Sequence, residues 1–181
     1  MFNKALEVIE TKEYFGVDPA RIEVVVHPES LVHALVGFND GALMAHVGPP
    51  DMRHAIGFAL NWPARRALPV ERLDLVAAGA LTFRAPCERR WPALRLAREV
   101  MATGGLAGAA FNAAKEAALD AFLAREIRFT DMGPVVERVL EAMGAAGELK
   151  SAMPDLDAIT AADHVARNRA RDAAARLAPT A

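Results

Sequence analysis

Cysteine and long apolar runs are scarce in this 181-residue chain. Cys87 is the only cysteine, so neither an intrachain disulfide nor a cysteine-rich metal site can form. No apolar run approaches the ~20 residues that a helix needs to cross a bilayer. The first ~30 residues have neither the basic start nor the apolar stretch of a signal peptide. These absences predict a cytoplasmic protein.

An excess of charge of one sign is also missing, since the net charge is −2 at pH 7. Such a balance argues against nucleic acid or an anionic membrane as the main partner. Hydrophobic residues make up 53% of the chain and charged residues 24%, which is typical of a soluble globular protein. A chain of this length can form one domain or two small ones, and it can bury a core.

The N-terminal third mixes helix and strand signals. A helix is predicted over 2–14, with Gly16 ending it. A β-branched run then predicts a strand over 21–26. Two apolar runs, 31–38 and 42–47, flank an Asp-Gly pair and predict a β-hairpin.

Asp51 is the predicted N-cap of a short helix that ends near Asn61. Prolines then punctuate short runs, which predicts an extended linker with one short strand over 81–83. From Trp91 onward the apolar spacing is helical. Thr160 and Asp163 resemble a capping box and predict the start of the last helix, which runs to about Leu177.

The predicted fold class is therefore α+β. The predicted organisation is a mixed segment over 1–62, a linker over 63–90 and a small helical bundle over 91–181.

The first helix begins with a trio of polar side chains. Asn3 and Glu7 are four residues apart and share one helix face, and Lys4 is three residues from Glu7. An amide, an ammonium and a carboxylate can together hold a polyanionic ligand and a divalent cation. From spacing alone, this pattern fits a small metal-dependent phosphate-binding protein. From spacing alone, the favoured interpretation is a solvated carboxylate in the first helical turn, at a frayed polar terminus.

Two other side-chain types have simpler explanations. His27 and His33 are six residues apart across a turn, which is not a zinc-ligand spacing. Cys87 has no activating neighbour in the sequence, so a buried or half-buried inert thiol is expected.

Several stretches together resemble the 1-deoxy-D-xylulose 5-phosphate reductoisomerase family, the NADPH-dependent enzymes of non-mevalonate isoprenoid biosynthesis. They occur in the family's order and with similar spacing. The stretches are FNKALEVIE (2–10), EVVVHPESLVHALV (23–36), DGALMAHVGPPDMR (40–53), LTFRAPC (81–87) and AFNAAKEAALDAFLAREIRFTD (110–131).

The resemblance covers only the C-terminal portion of that family. It implies an incomplete α/β catalytic-domain segment followed by the linker and the bundle. The N-terminal NADPH-binding domain is absent, since no G-x-G-x-x-G turn follows a strand here. The family's other metal ligands also lie upstream of this chain. The resemblance thus implies a fragment, a truncated gene product or an internal start, which we expect to be inactive in isolation.

The resemblance also assigns roles to single residues. Glu7 matches the family's metal ligand for Mg²⁺ or Mn²⁺, and Asn3 and Lys4 match its substrate contacts. His33 matches a histidine near the substrate, although a core histidine on a strand would look the same. The resemblance further implies that Pro50 and Met52 line the substrate pocket; a helix-starting turn with an apolar anchor is the alternative.

The activity implied by the resemblance is the isomerisation and reduction of 1-deoxy-D-xylulose 5-phosphate to 2-C-methyl-D-erythritol 4-phosphate. The substrate is a small phosphorylated sugar, and its hydroxyl and carbonyl oxygens chelate the metal. Members of the family form homodimers. The alternative is a catalytically inactive remnant that acts only as a dimerisation or interaction module.

Overall fold

The structure is a computed structural model, and it describes residues 1–177. Its elements combine helices with a small antiparallel sheet, which confirms the predicted α+β class. In chain order they are α1 (Phe2–Phe15), β1 (Val32–Gly37), β2 (Leu43–Val47), α2 (Arg53–Asn61), α3 (Leu75–Ala78), α4 (Pro92–Thr103), α5 (Ala107–Leu123), α6 (Met132–Ala145) and α7 (Leu156–Ala175), with 3₁₀ turns at Pro19–Arg21 and Phe129–Asp131.

The chain divides into two compact units whose limits differ from the predicted ones. The first unit combines Met1–Val24 with Cys87–Ala181, and the second is Val25–Pro86. The predicted segment 1–62 is split because α1 buries its apolar face in the helical core instead of packing with the hairpin. Most of the predicted linker 63–90 belongs to the second unit.

Alanine-rich helix faces build the core of the first unit. The α5 face with Ala110, Ala114, Ala117 and Ala121 is buried, and α5 packs against α6 and α7. Small side chains allow close approach of the helix backbones, and larger ones fill the remaining space. The largest fully buried side chains are Phe111, Leu96, Met143, Val135, Val136 and Val139.

The last helix begins earlier than the sequence predicts. Asp155 is the N-cap of α7, and its carboxylate accepts a hydrogen bond from the backbone N–H of Ala158 at 2.8 Å. The predicted capping box at Thr160 and Asp163 is wrong. Both residues lie inside the helix, where the Thr160 hydroxyl donates to the Leu156 carbonyl, four residues earlier.

The second unit contains the predicted hairpin. β1 and β2 pair antiparallel, with Val36 opposite Met44. Gly41 sits in the turn at φ +88°, a conformation that glycine adopts without steric cost. The predicted strand over 21–26 is wrong, because only Val26 pairs in the sheet manner, and it does so with Arg84.

Side-chain hydrogen bonds also join the segment after α2 to the first residues of the second unit. His27 and Glu29 both hydrogen-bond the backbone of Thr82, at 2.8 and 3.1 Å. The stretch predicted as a free linker is therefore held in place within this unit, and it contains the short helix α3. The short strand predicted over 81–83 is wrong, since sheet pairing in this stretch is limited to the bridge at Arg84.

Candidate functional site

The polar trio of α1 lies on a helix whose opposite face is anchored in the core. Ala5 is fully buried, and the Phe2 ring lies 6.0 Å from the Phe111 ring. Asn3 and Glu7 are exposed on the other face. The burial of its neighbours therefore holds this first turn in place.

Lys4 and Glu7 form an ion pair on this face. Their side chains are 41% and 54% exposed, so the pair is worth at most about 1 kcal/mol and opens easily to a ligand. The ammonium of Lys4 and the amide of Asn3 can donate to a phosphate or hydroxyl oxygen. The carboxylate of Glu7 is the hard oxygen ligand that Mg²⁺ and Mn²⁺ prefer.

Glu7 has no cluster of further metal ligands around it in the part of the chain that the structure describes. Within residues 1–177, no group of three or more His, Cys, Asp or Glu side chains could hold a metal ion. Glu7 fits the role of one oxygen ligand, but a complete metal site is not formed by the residues described.

His33 lies in the second unit, on β1, where the strand pairing is irregular. Val32 pairs with Val47 and Ala34 with His46, which leaves His33 without an opposite residue, as in a β-bulge. Its Nε2 lies 2.9 Å from the Gly48 carbonyl oxygen. The residue is exposed, so the alternative of a core histidine does not hold.

Two further histidines stand beside His33, and the sequence reasoning missed them. The His46 ring centroid is 5.5 Å from that of His33 and 6.4 Å from that of His54. Burial lowers the pKa of His46, and the positive charges of His33, His54 and Arg65 lower it further. Counting residue pairs outward from the hairpin turn places Ala34, not His33, opposite His46, so only the irregularity at His33 brings the two rings together.

Pro50 and Met52 lie between β2 and α2, and both are exposed. Asp51 between them lies just before the helix, and its carboxylate accepts a hydrogen bond from the Arg53 backbone N–H at 2.9 Å. The Arg53 side chain also donates to this carboxylate, which lowers the pKa of Asp51 to about 2. The turn is thus well defined, and the pocket-lining role of Pro50 and Met52 stays a prediction.

The candidate residues fall into two sets. Asn3, Lys4 and Glu7 share one face of α1 in the first unit, whereas His33, Pro50 and Met52 belong to the second unit. Cys87 is exposed, so the expectation of a buried or half-buried thiol is wrong.

Comparison with known proteins places this geometry in a family. The family profile of the DXP reductoisomerase C-terminal domain matches residues 47–169. The chain belongs to this family.

Within residues 1–177, no helix is both long and apolar enough to cross a membrane.

Curated relatives of this family resemble nearly the whole chain. A protein named 1-deoxy-D-xylulose 5-phosphate reductoisomerase from Ruegeria pomeroyi is 66% identical over 178 residues, which are 98% of this chain and 45% of the relative. A relative of the same name from Jannaschia sp. is 61% identical over 98% of this chain and 44% of its own length. The chain therefore spans slightly less than half the length of these relatives.

Solved structures agree with this assignment. A crystal structure of DOX-P reductoisomerase in complex with NADPH, fosmidomycin and magnesium matches with a TM-score of 0.92 at 37% identity, over 96% of this chain and 44% of that one. The Zymomonas mobilis reductoisomerase in complex with NADPH matches with a TM-score of 0.86 at 39% identity, over 95% of this chain and 44% of that one. Membership of the DXP reductoisomerase C-terminal domain family thus rests on sequence and on fold.

Proposed function

We propose that this chain supplies the C-terminal part of a reductoisomerase that converts 1-deoxy-D-xylulose 5-phosphate to 2-C-methyl-D-erythritol 4-phosphate. The observation that carries the proposal is the α1 face in a chain of this family. Asn3, Lys4 and Glu7 point outward from a helix whose apolar side is buried. A surface that is polar, charged with both signs and rigidly backed suits a phosphorylated sugar and its metal ion.

Each residue of the trio has a distinct role in this proposal. Glu7 supplies one carboxylate ligand to Mg²⁺ or Mn²⁺, which when bound polarises the hydroxyl and carbonyl oxygens of the substrate. Lys4 adds a positive charge and Asn3 a neutral donor toward the oxygens of the sugar phosphate. His33, Pro50 and Met52 line the substrate pocket.

The proposal includes partners that lie outside this chain. Structurally similar reductoisomerases are described as complexes with NADPH and with magnesium. We propose NADPH as the reductant, held by a nucleotide-binding domain on sequence upstream of the part that this chain resembles. We also propose a homodimer in the cytoplasm as the working form, and no turnover by the 181-residue chain alone.

A chimera tests the proposal. The Ruegeria pomeroyi relative aligns with 98% of this chain, so its matching C-terminal part can be replaced by this chain. The oxidation of NADPH is then followed with 1-deoxy-D-xylulose 5-phosphate and Mg²⁺. We expect turnover by the chimera and none by the isolated chain.

Glu7→Gln in this chimera tests the metal role. The change keeps the shape of the side chain but removes the negative charge, so we expect turnover to fall at least about 100-fold, or roughly 2.7 kcal/mol of activation free energy. Glu10→Gln is the matched control, because Glu10 is an exposed carboxylate on the same helix. The metal role of Glu7 would be refuted if both variants kept the turnover and the Mg²⁺ dependence of the parent chimera.

A role as an interaction module is the second candidate, and the hairpin favours it. Leu43, Met44 and Val36 expose most of their surface although their strands pair only with each other within residues 1–177. Exposed apolar strands invite association with another sheet or with a second copy. Sedimentation of the isolated chain would then show a dimer that Leu43→Lys with Met44→Lys dissociates, while the chimera would show no turnover.

A further inference from the structure

The irregular pairing at His33 determines how this residue presents its ring. In an antiparallel pair, an extra residue on one strand is left without a partner, and its side chain is directed differently from its neighbours. His33 is that residue, since Val32 and Ala34 pair with the consecutive residues Val47 and His46. The bulge therefore gives the His33 ring an orientation that a regular strand would not.

The Gly48 carbonyl then determines which ring nitrogen carries the proton. A carbonyl oxygen can only accept a hydrogen bond, so the 2.9 Å contact with His33 Nε2 requires a proton on Nε2. Gly48 itself is held firmly, because it is buried and its N–H donates to the Leu31 carbonyl at 2.8 Å. The neutral ring consequently has its lone pair on Nδ1.

We infer that His33 offers Nδ1 as a hydrogen-bond acceptor to a hydroxyl group of the ligand and does not contact its phosphate. This inference rests on the proposed function, which places the residue in the substrate pocket. A neutral acceptor attracts an O–H donor, whereas a phosphate oxygen would meet it lone pair to lone pair. Through its hydrogen bond to Nε2, the Gly48 carbonyl acts as a positioning group that makes the ring selective for a hydroxyl.

His27 provides an internal reference of the opposite kind. Its Nδ1 lies 2.8 Å from the Thr82 carbonyl oxygen and 3.0 Å from a carboxylate oxygen of Glu29. Both partners are acceptors, so Nδ1 of His27 carries the proton. Its Nε2 is buried and has no hydrogen-bond partner within residues 1–177. In their neutral forms the two histidines are therefore opposite tautomers, each fixed by a backbone carbonyl.

Nitrogen-15 NMR of the labelled full chain tests the tautomer directly. The spectra are recorded at alkaline pH, where the neutral form of each ring is the one observed. We expect His33 to show a protonated Nε2 and a lone-pair Nδ1, and His27 to show the reverse. His164, which is exposed on α7, supplies the pattern of an unrestrained ring. A protonated Nδ1 on His33, or the averaged pattern of His164, would overturn the inference.

Two substitutions in the chimera test the ligand contact. Asn places its amide near the position of Nδ1, and Gln places its amide near that of Nε2. We expect His33→Gln to raise KM for the sugar phosphate about tenfold more than His33→Asn does, a difference of roughly 1.4 kcal/mol. Inhibition by inorganic phosphate should change less than about twofold in either variant, because the phosphate does not touch this ring.

The outcomes separate this inference from the proposed function. If the chimera turns over but the two variants share one KM, or if both weaken inorganic phosphate, the hydroxyl contact is wrong and the reductoisomerase assignment stands. If the parent chimera has no activity, the proposed function fails, and the hydroxyl contact fails with it. The NMR result decides the tautomer in every case.

Discussion

The two units differ most clearly in the burial of their apolar side chains. Every buried hydrophobic side chain in residues 1–177 lies in the helical first unit, and none lies in the second. Four long helices and α1 surround one another, so each apolar stripe meets another. A two-stranded hairpin and two short helices cannot cover their own faces, and about three strands with a hydrophobic face are needed for independent stability. The first unit therefore has a core of its own, whereas the second depends on hydrogen bonds, among them those that join Thr82 to His27 and Glu29.

The ion pairs of the two units also differ in how far apart in the chain their partners lie. In the first unit Arg167 bridges Glu116 on α5 and Asp163 on its own helix, and its side chain is only 26% exposed. In the second unit the ion pair between Asp51 and Arg53 joins near neighbours at the surface, and the charge of His54 also acts on the Asp51 carboxylate. Ion pairs thus reinforce helix packing in one unit and only local turns in the other.

Removing one core ring should have the largest effect and should separate the units. Phe111 is fully buried in α5, so Phe111→Ala should cost about 3–5 kcal/mol of unfolding free energy. Leu43→Ala in the hairpin removes a side chain that is 70% exposed. This change should alter the unfolding free energy by less than about 0.5 kcal/mol. Urea unfolding followed by circular dichroism measures both.

The milder Phe111→Leu keeps the experiment informative if Phe111→Ala does not fold, and should cost about 1 kcal/mol. Comparable losses from Phe111→Leu and Leu43→Ala would contradict the contrast between the units.

A pair of adjacent glycines should show the next largest effect. Gly104, with φ 64° and ψ −153°, lies in a backbone region nearly confined to glycine, and Gly105 also has a positive φ, so alanine at either position costs about 1–3 kcal/mol in backbone conformation. At Gly105 an added Cβ would also lie 2.6 Å from the Leu149 carbonyl oxygen, whereas at Gly104 nothing lies within 4 Å. Gly105→Ala should therefore cost roughly 1–3 kcal/mol more than Gly104→Ala. Equal thermal midpoints for the two variants would contradict the tight packing of α5 against the 149–151 segment.

Mild acid should lower the stability of the second unit before that of the first. This should be the smallest of the three predicted effects. The pKa of His46 is lowered below 6.5, by burial first and then by the charges of His33, His54 and Arg65. The unfolded chain then binds protons more readily than the folded one. The contribution of His46 to the stability of the fold is therefore present above pH 6.5, and it is lost as the pH falls toward the lowered pKa.

Hydrogen exchange of the hairpin amides between pH 7.5 and 5.5, corrected for intrinsic exchange rates, measures this loss. His46→Gln should remove most of the pH dependence, and His164→Gln should leave it unchanged. In the first unit, hydrogen bonds from Arg167 and Arg128 lower the pKa of Glu116 and Asp131, so these groups lose their contribution only under more acidic conditions. A hairpin whose protection is independent of pH in the parent chain would refute the role of His46.

Local signals in the sequence are sufficient to predict the bundle helices and the hairpin. Period-3.6 apolar stripes predict the bundle helices, and the Asp-Gly turn predicts the hairpin, because both depend on neighbours a few residues away. The valine run at 24–26 was misjudged, since a strand requires a partner and only Arg84 pairs there. The start of α7 was misjudged because Thr160 and Asp163 have the same spacing in a cap and inside a helix.

Contacts between distant residues explain the remaining differences. Nothing local in α1 shows that Ala5 packs in the core built by residues 93 onward, so the division into units could not be predicted. The candidate residues on α1 follow from spacing and resemblance, and their role stays a prediction. The His33 bulge and its Gly48 contact could not be predicted, because a one-residue irregularity in pairing leaves no mark on the apolar pattern.

The most direct test of the central contrast is hydrogen exchange of the full chain, resolved by residue and recorded on a monomeric sample. The account predicts that amides of α5, α6 and α7 are protected to nearly the free energy of global unfolding. It predicts that those of β1, β2 and α2 exchange through low-energy local opening. Equal protection of both units in the monomer would contradict the account, because the second unit would then be stable without any covering of its exposed apolar side chains.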